Sequence, residues 1–326
     1  MEKRTLGRTG RDVSVVGLGT WQLGADWGDV SHDDAIAVLD AAVAEGVTFF
    51  DTADVYGDGR SEQLIGEYLR DRPELDIVVA TKMGRRVDQD PALFTLDSFR
   101  AWTDRSRSNL GVETLDLVQL HCPPTAVFSD DRVFDALDTL VGEKAVAAYG
   151  VSVETVDEAL AAIARPHVAS VQIILNAFRL KPLDEVLPAA REAGVGIIAR
   201  VPLASGLLSG RYTEETTFAA DDHRSFNRSG EAFDVGETFS GVEFGTGVAA
   251  AREFAGLVPE GVHPAQAAIS WILAQPGVTA AIPGARSVGQ ARSNAAAASV
   301  TLPTGFDAGV HDIYDRLLRE AIHPRW

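Results

Sequence analysis

The sequence is poor in cysteine, in long apolar runs and in positive charge. Its one cysteine, Cys122, cannot form an internal disulfide, which excludes a disulfide-stapled scaffold. No stretch approaches the ~18 consecutive apolar residues that a membrane-spanning helix needs. Met1–Val13 is polar and charged with no apolar run behind it, so no secretory signal is expected and the chain reads as cytoplasmic. Lys and Arg number 29 against 47 Asp and Glu, a formal charge of −18. That excess repels phosphate backbones and anionic lipid, so neither nucleic acid nor a membrane is an expected partner. Any anionic ligand must be held by a few local cations or by backbone N–H groups. The rest is an ordinary globular composition, 46% hydrophobic and 23% charged over 326 residues, with length enough for a large core.

Short apolar runs alternate with segments of helical period. Val13–Leu18, Val47–Phe50, Ile77–Ala80, Leu115–Leu120, Val146–Val151, Ala169–Leu175, Val195–Ala199 and Val278–Ile282 lack two-residue alternation, as expected of strands buried on both faces of a parallel sheet. Between them lie helices with readable ends. Ser31 and Asp34 have capping-box spacing, Ile36, Leu39 and Val43 form an apolar stripe, and Gly46 marks a stop. Ser61 opens a second helix. Others are expected over Leu96–Leu110, Arg132–Gly142, Thr155–Ala164, Leu183–Ala193, Pro264–Ala274 and Val288–Ala297. Eight strands, each followed by a helix, predict a (β/α)8 TIM barrel of class α/β spanning residues 1–326 as one domain, with an open doubly wound sheet as the alternative. Arg4–Val13, with Gly7 and Gly10, predicts a short hairpin ahead of the barrel. Ser205–Pro264 is a long insertion after strand seven, of the kind that carries function or structure of its own.

In such a barrel the residues that follow the strands gather on one face. Asp51 and Tyr56 follow the second run, Lys82 the third, and His121 the fourth. Taken singly, Asp51 reads as a cap, Tyr56 as rim packing and His121 as a core histidine. Lys82 is different, because a lysine ending a buried strand needs an anionic partner, and Asp51 is the candidate. Together they bring an acid, a phenol, an amine and an imidazole to one spot.

The run Gly46-Val-Thr-Phe-Phe-Asp51-Thr-Ala-Asp-Val-Tyr56-Gly57, followed by Ser61-Glu62, resembles a signature of the aldo-keto reductases, and Asn109–His121 resembles a second. The likeness extends from Arg4-Thr-Leu-Gly to Ile282-Pro-Gly and on to Asn294. It implies a (β/α)8 oxidoreductase that uses NADP(H) without a metal and acts on a small-molecule carbonyl substrate. Carbonyl reduction needs hydride at carbon and a proton at an oxygen that is becoming negative. The resemblance makes Tyr56 the general acid and Lys82 the group that lowers its pKa. Asp51 would then hold Lys82, and His121 would orient the carbonyl. On the cofactor side it matches Ser152, Gln172 and Asn176. Arg200 stands where many relatives stack an aromatic ring on the nicotinamide. A cation there would favour the reduced, neutral ring over the oxidised one. Pro202, Leu203, Ser205 and Gly206 form a loop suited to the pyrophosphate.

Gly284, Arg286, Gln290 and Asn294 resemble the site for the adenosine 2′-phosphate, with Gln290 where relatives often carry a second cation. Taken alone, Ser152 equally reads as a helix cap and Arg286 as a solvated arginine. Apolar walls for the substrate are expected from Trp21, Trp27, Phe178 and the insertion's Phe218, Phe226, Phe233, Phe239 and Phe244. Asp221–Arg224 reads as a solvated or ion-paired lid, and Cys122 as a small buried residue. The competing functional readings are an NADPH-binding regulatory subunit with little turnover, a barrel aldolase or isomerase using Lys82 as a Schiff base, and a non-enzymatic scaffold.

Overall fold

The computed structural model describes residues 1–24, 30–232 and 234–326. An antiparallel hairpin, β1 (Lys3–Thr5) and β2 (Asp12–Ser14), comes first. Eight parallel strands follow: β3 (Leu18–Gly19), β4 (Phe49–Asp51), β5 (Val78–Met83), β6 (Leu117–His121), β7 (Tyr149–Ser152), β8 (Val168–Ile174), β9 (Gly196–Arg200) and β10 (Val278–Ala281). Each bonds to the next in chain order. Parallel bridges Val16–Ala281 and Gly19–Gly284 join the first of these strands to the last, so the sheet closes into a barrel. A side chain at Gly19 would meet the Ile282 carbonyl oxygen at 2.8 Å, which explains a glycine on this seam.

One helix follows each of the first six barrel strands: α1 (His32–Ala44), α2 (Arg60–Arg70), α3 (Leu96–Leu110), α4 (Asp131–Gly142), α5 (Val156–Ile163) and α6 (Val186–Ala193). After β9 come the short α7 (His223–Phe226), α8 (Phe244–Leu257) and α9 (Pro264–Leu273). After β10 come α10 (Val288–Ala296), α11 (Phe306–Leu317) and α12 (Arg319–Ile322). Local chemistry sets the starts. Ser31 Oγ accepts from Asp34 N, and Thr155 and Glu158 form a reciprocal capping box at α5. Among the described residues no helix is long and apolar enough to cross a membrane.

Two apolar clusters divide the core. The larger lies between strands and helices. The smaller fills the barrel bore: Leu6 and Val13 of the hairpin pack with Phe49, Val78, Leu117, Ile198 and Ala280. A side chain at Gly7 would overlap the backbone of Ala169 and Gly196, near the starts of β8 and β9. The hairpin therefore plugs the N-terminal end of the barrel, leaving the other end for chemistry.

Two expectations about the elements need correction. The run Val13–Leu18 does not form one strand: Val13 pairs with Arg4 in the hairpin, and only Leu18–Gly19 joins the barrel as a strand. The terminal helices α11 and α12 stand outside the eightfold repeat and were not expected.

Candidate active site

The C-terminal ends of β4, β5 and β6 bring the four expected groups together. Lys82 Nζ donates to Asp51 Oδ1 at 2.5 Å, to the Thr52 carbonyl at 2.9 Å and to the Tyr56 hydroxyl at 3.2 Å. The Lys82 and Asp51 side chains are 1% and 3% exposed, so neither charge is stable here without the other. Burial alone would lower the Lys82 pKa, but Asp51 and then Tyr56 outweigh it, and the ammonium lies above its ordinary value. Burial pushes the Tyr56 phenol above its ordinary value, Lys82 pulls against that and Asp51 adds to it. The pull of Lys82 is therefore real, but in the resting site it offsets burial rather than bringing the phenol below its ordinary value.

The ring of Tyr56 lies between Trp21, stacked at 5.9 Å and 16°, and His121, edge-on at 5.9 Å and 84°. Burial first, then Arg85, Lys82 and Arg200, hold the His121 pKa well below its ordinary value, so the imidazole is neutral at pH 7. Among the described residues, its Nδ1 is buried without a hydrogen-bond partner.

A second layer of this network was not anticipated from the sequence. Gln119, fully buried on β6, donates to Asp51 Oδ2 at 3.2 Å. Gln172 of β8 donates to the same oxygen at 2.7 Å and approaches Gln119 Oε1 at 3.3 Å. Gln119 stands two residues before His121 on the same strand, hence on the same face, and that spacing was the available signal.

A cleft of about 1070 Å³ opens over these groups. That is at the upper end for small-molecule sites, which run to ~1,000 Å³, so a large ligand and a small one fit side by side. Its lining includes Trp21, Asp51, Tyr56, His121, Ser152, Gln172 and Arg200, together with Pro202, Leu203, Ser205, Gly206, Gly284, Arg286, Gln290 and Asn294. Lys82 sits behind Tyr56. The strand β9 ends in a strained turn: Val201, Ala204 and Ser205 have φ of 52°, 47° and 55°, and Gly206 has φ of 98°. A β-branched residue in this region is uncommon, and such strain collects where backbone is shaped around a ligand. A Cβ on Gly206 would also lie 2.3 Å from the Tyr212 hydroxyl. Across the cleft, Ser287 caps α10, Gln290 Oε1 accepts from the Arg286 amide at 2.7 Å, and Asn294 donates to the Gly284 carbonyl at 3.1 Å. The Arg286 side chain is exposed at the head of that helix.

Arg200 is not a lone cation. It is 8% exposed, paired with Glu154 at 3.0 Å and with Glu237, and donates to the Val153 carbonyl at 2.9 Å. Two carboxylates offset its charge, which removes the ground for expecting a preference for reduced cofactor. Glu237 comes from the insertion, and Ser205 Oγ bonds the Glu237 carbonyl and the Phe239 amide, so the insertion is strapped to the barrel at this point.

Three other expectations are corrected. Phe178 is fully buried, edge-on to Phe254 at 6.5 Å, and belongs to the core rather than to the cleft wall. Asn176 is fully buried off the cleft, its amide committed to the Val201 carbonyl, Ser240 and the Phe178 amide. The insertion's Phe218, Phe239 and Phe244 pack on one another and on Tyr212, and of these only Tyr212 lines the cleft. Phe226 is exposed and also off the cleft. Trp27 and Phe233 lie outside the described residues. Ser152 lines the cleft, and the cap of α5 is Thr155 instead. Asp222 pairs with Arg224, as expected of an ion-paired segment. Burial pushes the Cys122 thiol up to about 12, so it stays unreactive at neutral pH.

Comparison with known proteins gives a consistent result. A family model described as the aldo/keto reductase family matches residues 15–313. The aldo-keto reductase YhdN of Bacillus subtilis (strain 168) is 27% identical, over 100% of this chain and 97% of that protein. The aldo-keto reductase str7 of Strobilurus tenacellus is 34% identical, over 89% and 85% respectively. The structure of a glycerol dehydrogenase from Gluconobacter oxydans superposes with a TM-score of 0.77 at 30% identity, covering 97% of this chain and 96% of that one. At 22% identity, the fold is also that of an aldo-keto reductase from Klebsiella pneumoniae solved in complex with NADPH, with a TM-score of 0.71 and 96% of both chains covered.

Proposed function

Because this chain belongs to the aldo/keto reductase family, we propose that it reduces an aldehyde or ketone to the alcohol by hydride transfer from NADPH, with Tyr56 as the proton donor. One observation carries the reading: a tyrosine hydroxyl 3.2 Å from a buried, carboxylate-held ammonium, in a cleft that also exposes a neutral histidine. The cleft fits the cofactor. The turn around Ser205 and Gly206 would offer backbone to the pyrophosphate, and the head of α10 with Arg286 would hold the 2′-phosphate. Gln172 and Ser152 line the nicotinamide end. When bound, the reduced nicotinamide supplies the hydride.

The protein's own groups handle the proton. Tyr56 keeps it at rest, because burial holds the phenol above its ordinary pKa. As negative charge grows on the substrate oxygen, the proton passes to it, and Lys82 stabilises the phenolate left behind. Asp51 keeps Lys82 charged and in place, with Gln119 and Gln172 fixing the Asp51 carboxylate. His121 is neutral and among the described residues finds no acceptor at Nδ1, so its proton would sit on Nε2 and donate to the carbonyl oxygen. Trp21, stacked on Tyr56, forms an apolar wall for the substrate.

The test is an NADPH fluorescence titration followed by addition of 4-nitrobenzaldehyde, reading absorbance at the NADPH band. Binding followed by oxidation is expected. Tight binding without oxidation of several aldehydes would overturn the reductase reading in favour of a cofactor-sensing subunit.

A further inference from the structure

In a chain with 47 acidic residues against 29 basic ones, a cation left unpaired inside a cleft is uncommon. Arg85 is such a group. It is half-buried, lines the same cleft as Tyr56 and His121, and makes no hydrogen bond or ion pair from its guanidinium among the described residues. Its neighbours differ. Arg86 pairs with Asp58 and donates to the Asp54 carbonyl at 3.2 Å, and Arg105 pairs with the same Asp58 at 3.0 Å. Arg200 has two carboxylates of its own.

The position of Arg85 is built rather than loose. Gly84, at φ 101°, turns the chain off the end of β5 against the ring of Phe94, which a Cβ there would meet at 3.0 Å. The Gln89 amide then closes the loop, donating to the Gly84 and Val87 carbonyls at 2.9 and 3.0 Å. The field of Arg85 falls on the reacting end: after burial it is the largest influence on His121, ahead of Lys82. Arg286, by contrast, acts on Tyr212 and His223 near the insertion. Arg85 stands two residues past the end of β5, the strand whose Lys82 bonds Tyr56, so it lies at the end of the cleft where a carbonyl substrate would be held.

We propose that Arg85 is a substrate-recognition residue, selecting carbonyl compounds that carry an anionic oxygen group, a carboxylate or a phosphate. This rests on the reductase reading above and goes further by naming the substrate class. A guanidinium presents a planar fork that matches either group in bidentate fashion. The chain's net charge of −18 repels such a substrate at long range, so its recognition depends on a local unpaired cation.

The experiment measures kcat/KM for two matched pairs, 4-carboxybenzaldehyde against 4-nitrobenzaldehyde and glyceraldehyde 3-phosphate against glyceraldehyde. It uses the wild-type protein, R85Q and R85K. In R85Q the anionic-to-neutral ratio falls about 10- to 100-fold in at least one pair, mostly through KM, as loss of a charge-assisted hydrogen bond requires. R85K, which keeps the charge without the fork, recovers part of it. A fall confined to one pair assigns the group as carboxylate or as phosphate. Ratios unchanged in both pairs, with neutral aldehydes still reduced, would overturn this inference and leave the reductase reading standing. Failure of every aldehyde to oxidise NADPH would overturn both.

Discussion

Asp54 lies in the chain between the Lys82 partner Asp51 and Tyr56, the proposed proton donor, and it is 1% exposed with Oδ1 lacking a hydrogen-bond partner among the described residues. Burial raises its pKa from 3.8 to about 7, and nearby Glu62 adds to this, while Arg86, Arg105 and Lys82 oppose it. Glu62 is itself buried and held by Thr81 and Asn109. The sign follows from proton binding. Between the unfolded and folded pKa values the native chain holds the proton that the unfolded chain has lost, so the stability this group confers is present at low pH and lost as pH rises through that window. From pH 5 to pH 9, linkage between these two values gives a loss of about 3 kcal/mol. Asp54→Asn keeps the shape and removes the ionisation, so its stability relative to wild type should grow by that amount across the range. At ~2.1 cal/mol/K per residue, the unfolding entropy of this chain is roughly 0.7 kcal/mol/K, and the melting-temperature gap should widen by about 4 °C. The assay is thermal unfolding of both proteins at pH 5 and pH 9. Melting temperatures that move in parallel would show that Asp54 does not titrate in this window and would refute the reasoning.

Two other substitutions probe the outer network and the cofactor end. Gln119→Leu deletes a donor to Asp51 Oδ2. Steady-state kinetics with a neutral aldehyde should show kcat down about 10-fold with KM within a few-fold, and a loss carried mainly by KM would contradict a positioning role. Arg286→Ala should weaken NADPH binding by about 10- to 100-fold more than NADH binding in fluorescence titrations, and equal weakening would mean that Arg286 does not hold the 2′-phosphate.

The barrel was legible because its strands are short apolar runs without alternation, and because helix caps such as Ser31 are local chemistry. The groups from β4, β5 and β6 were legible for a related reason. In a closed parallel barrel, the position after each strand is a position in space. The misreadings involve partners far away in sequence. Nothing near Arg200 announces Glu237, 37 residues on, and without that pairing the arginine reads as a bare cation. Phe178 was assigned to the cleft by its place after a strand and the insertion's phenylalanines by composition, whereas the packing of Phe178, Phe218, Phe239 and Phe244 depends on α8 and Tyr212. Asn176 illustrates the same limit, since its acceptor Val201 is offered by a strained turn whose shape the residue types do not reveal. Gln119 was passed over although it stands two residues before His121 on one strand face, because that spacing gives the face and not the partner, and its hydrogen bond to Asp51 joins residues 68 apart in the chain.

The central claim is that Tyr56, poised by Lys82, gives the proton to the carbonyl oxygen. The most direct test is single-turnover oxidation of bound NADPH by 4-nitrobenzaldehyde in wild type and Tyr56→Phe, with cofactor affinity measured on the same samples. The account predicts a rate lower by about 10²- to 10⁴-fold, with the NADPH dissociation constant within a few-fold of wild type. Turnover equal to wild type with the phenylalanine in place would contradict it.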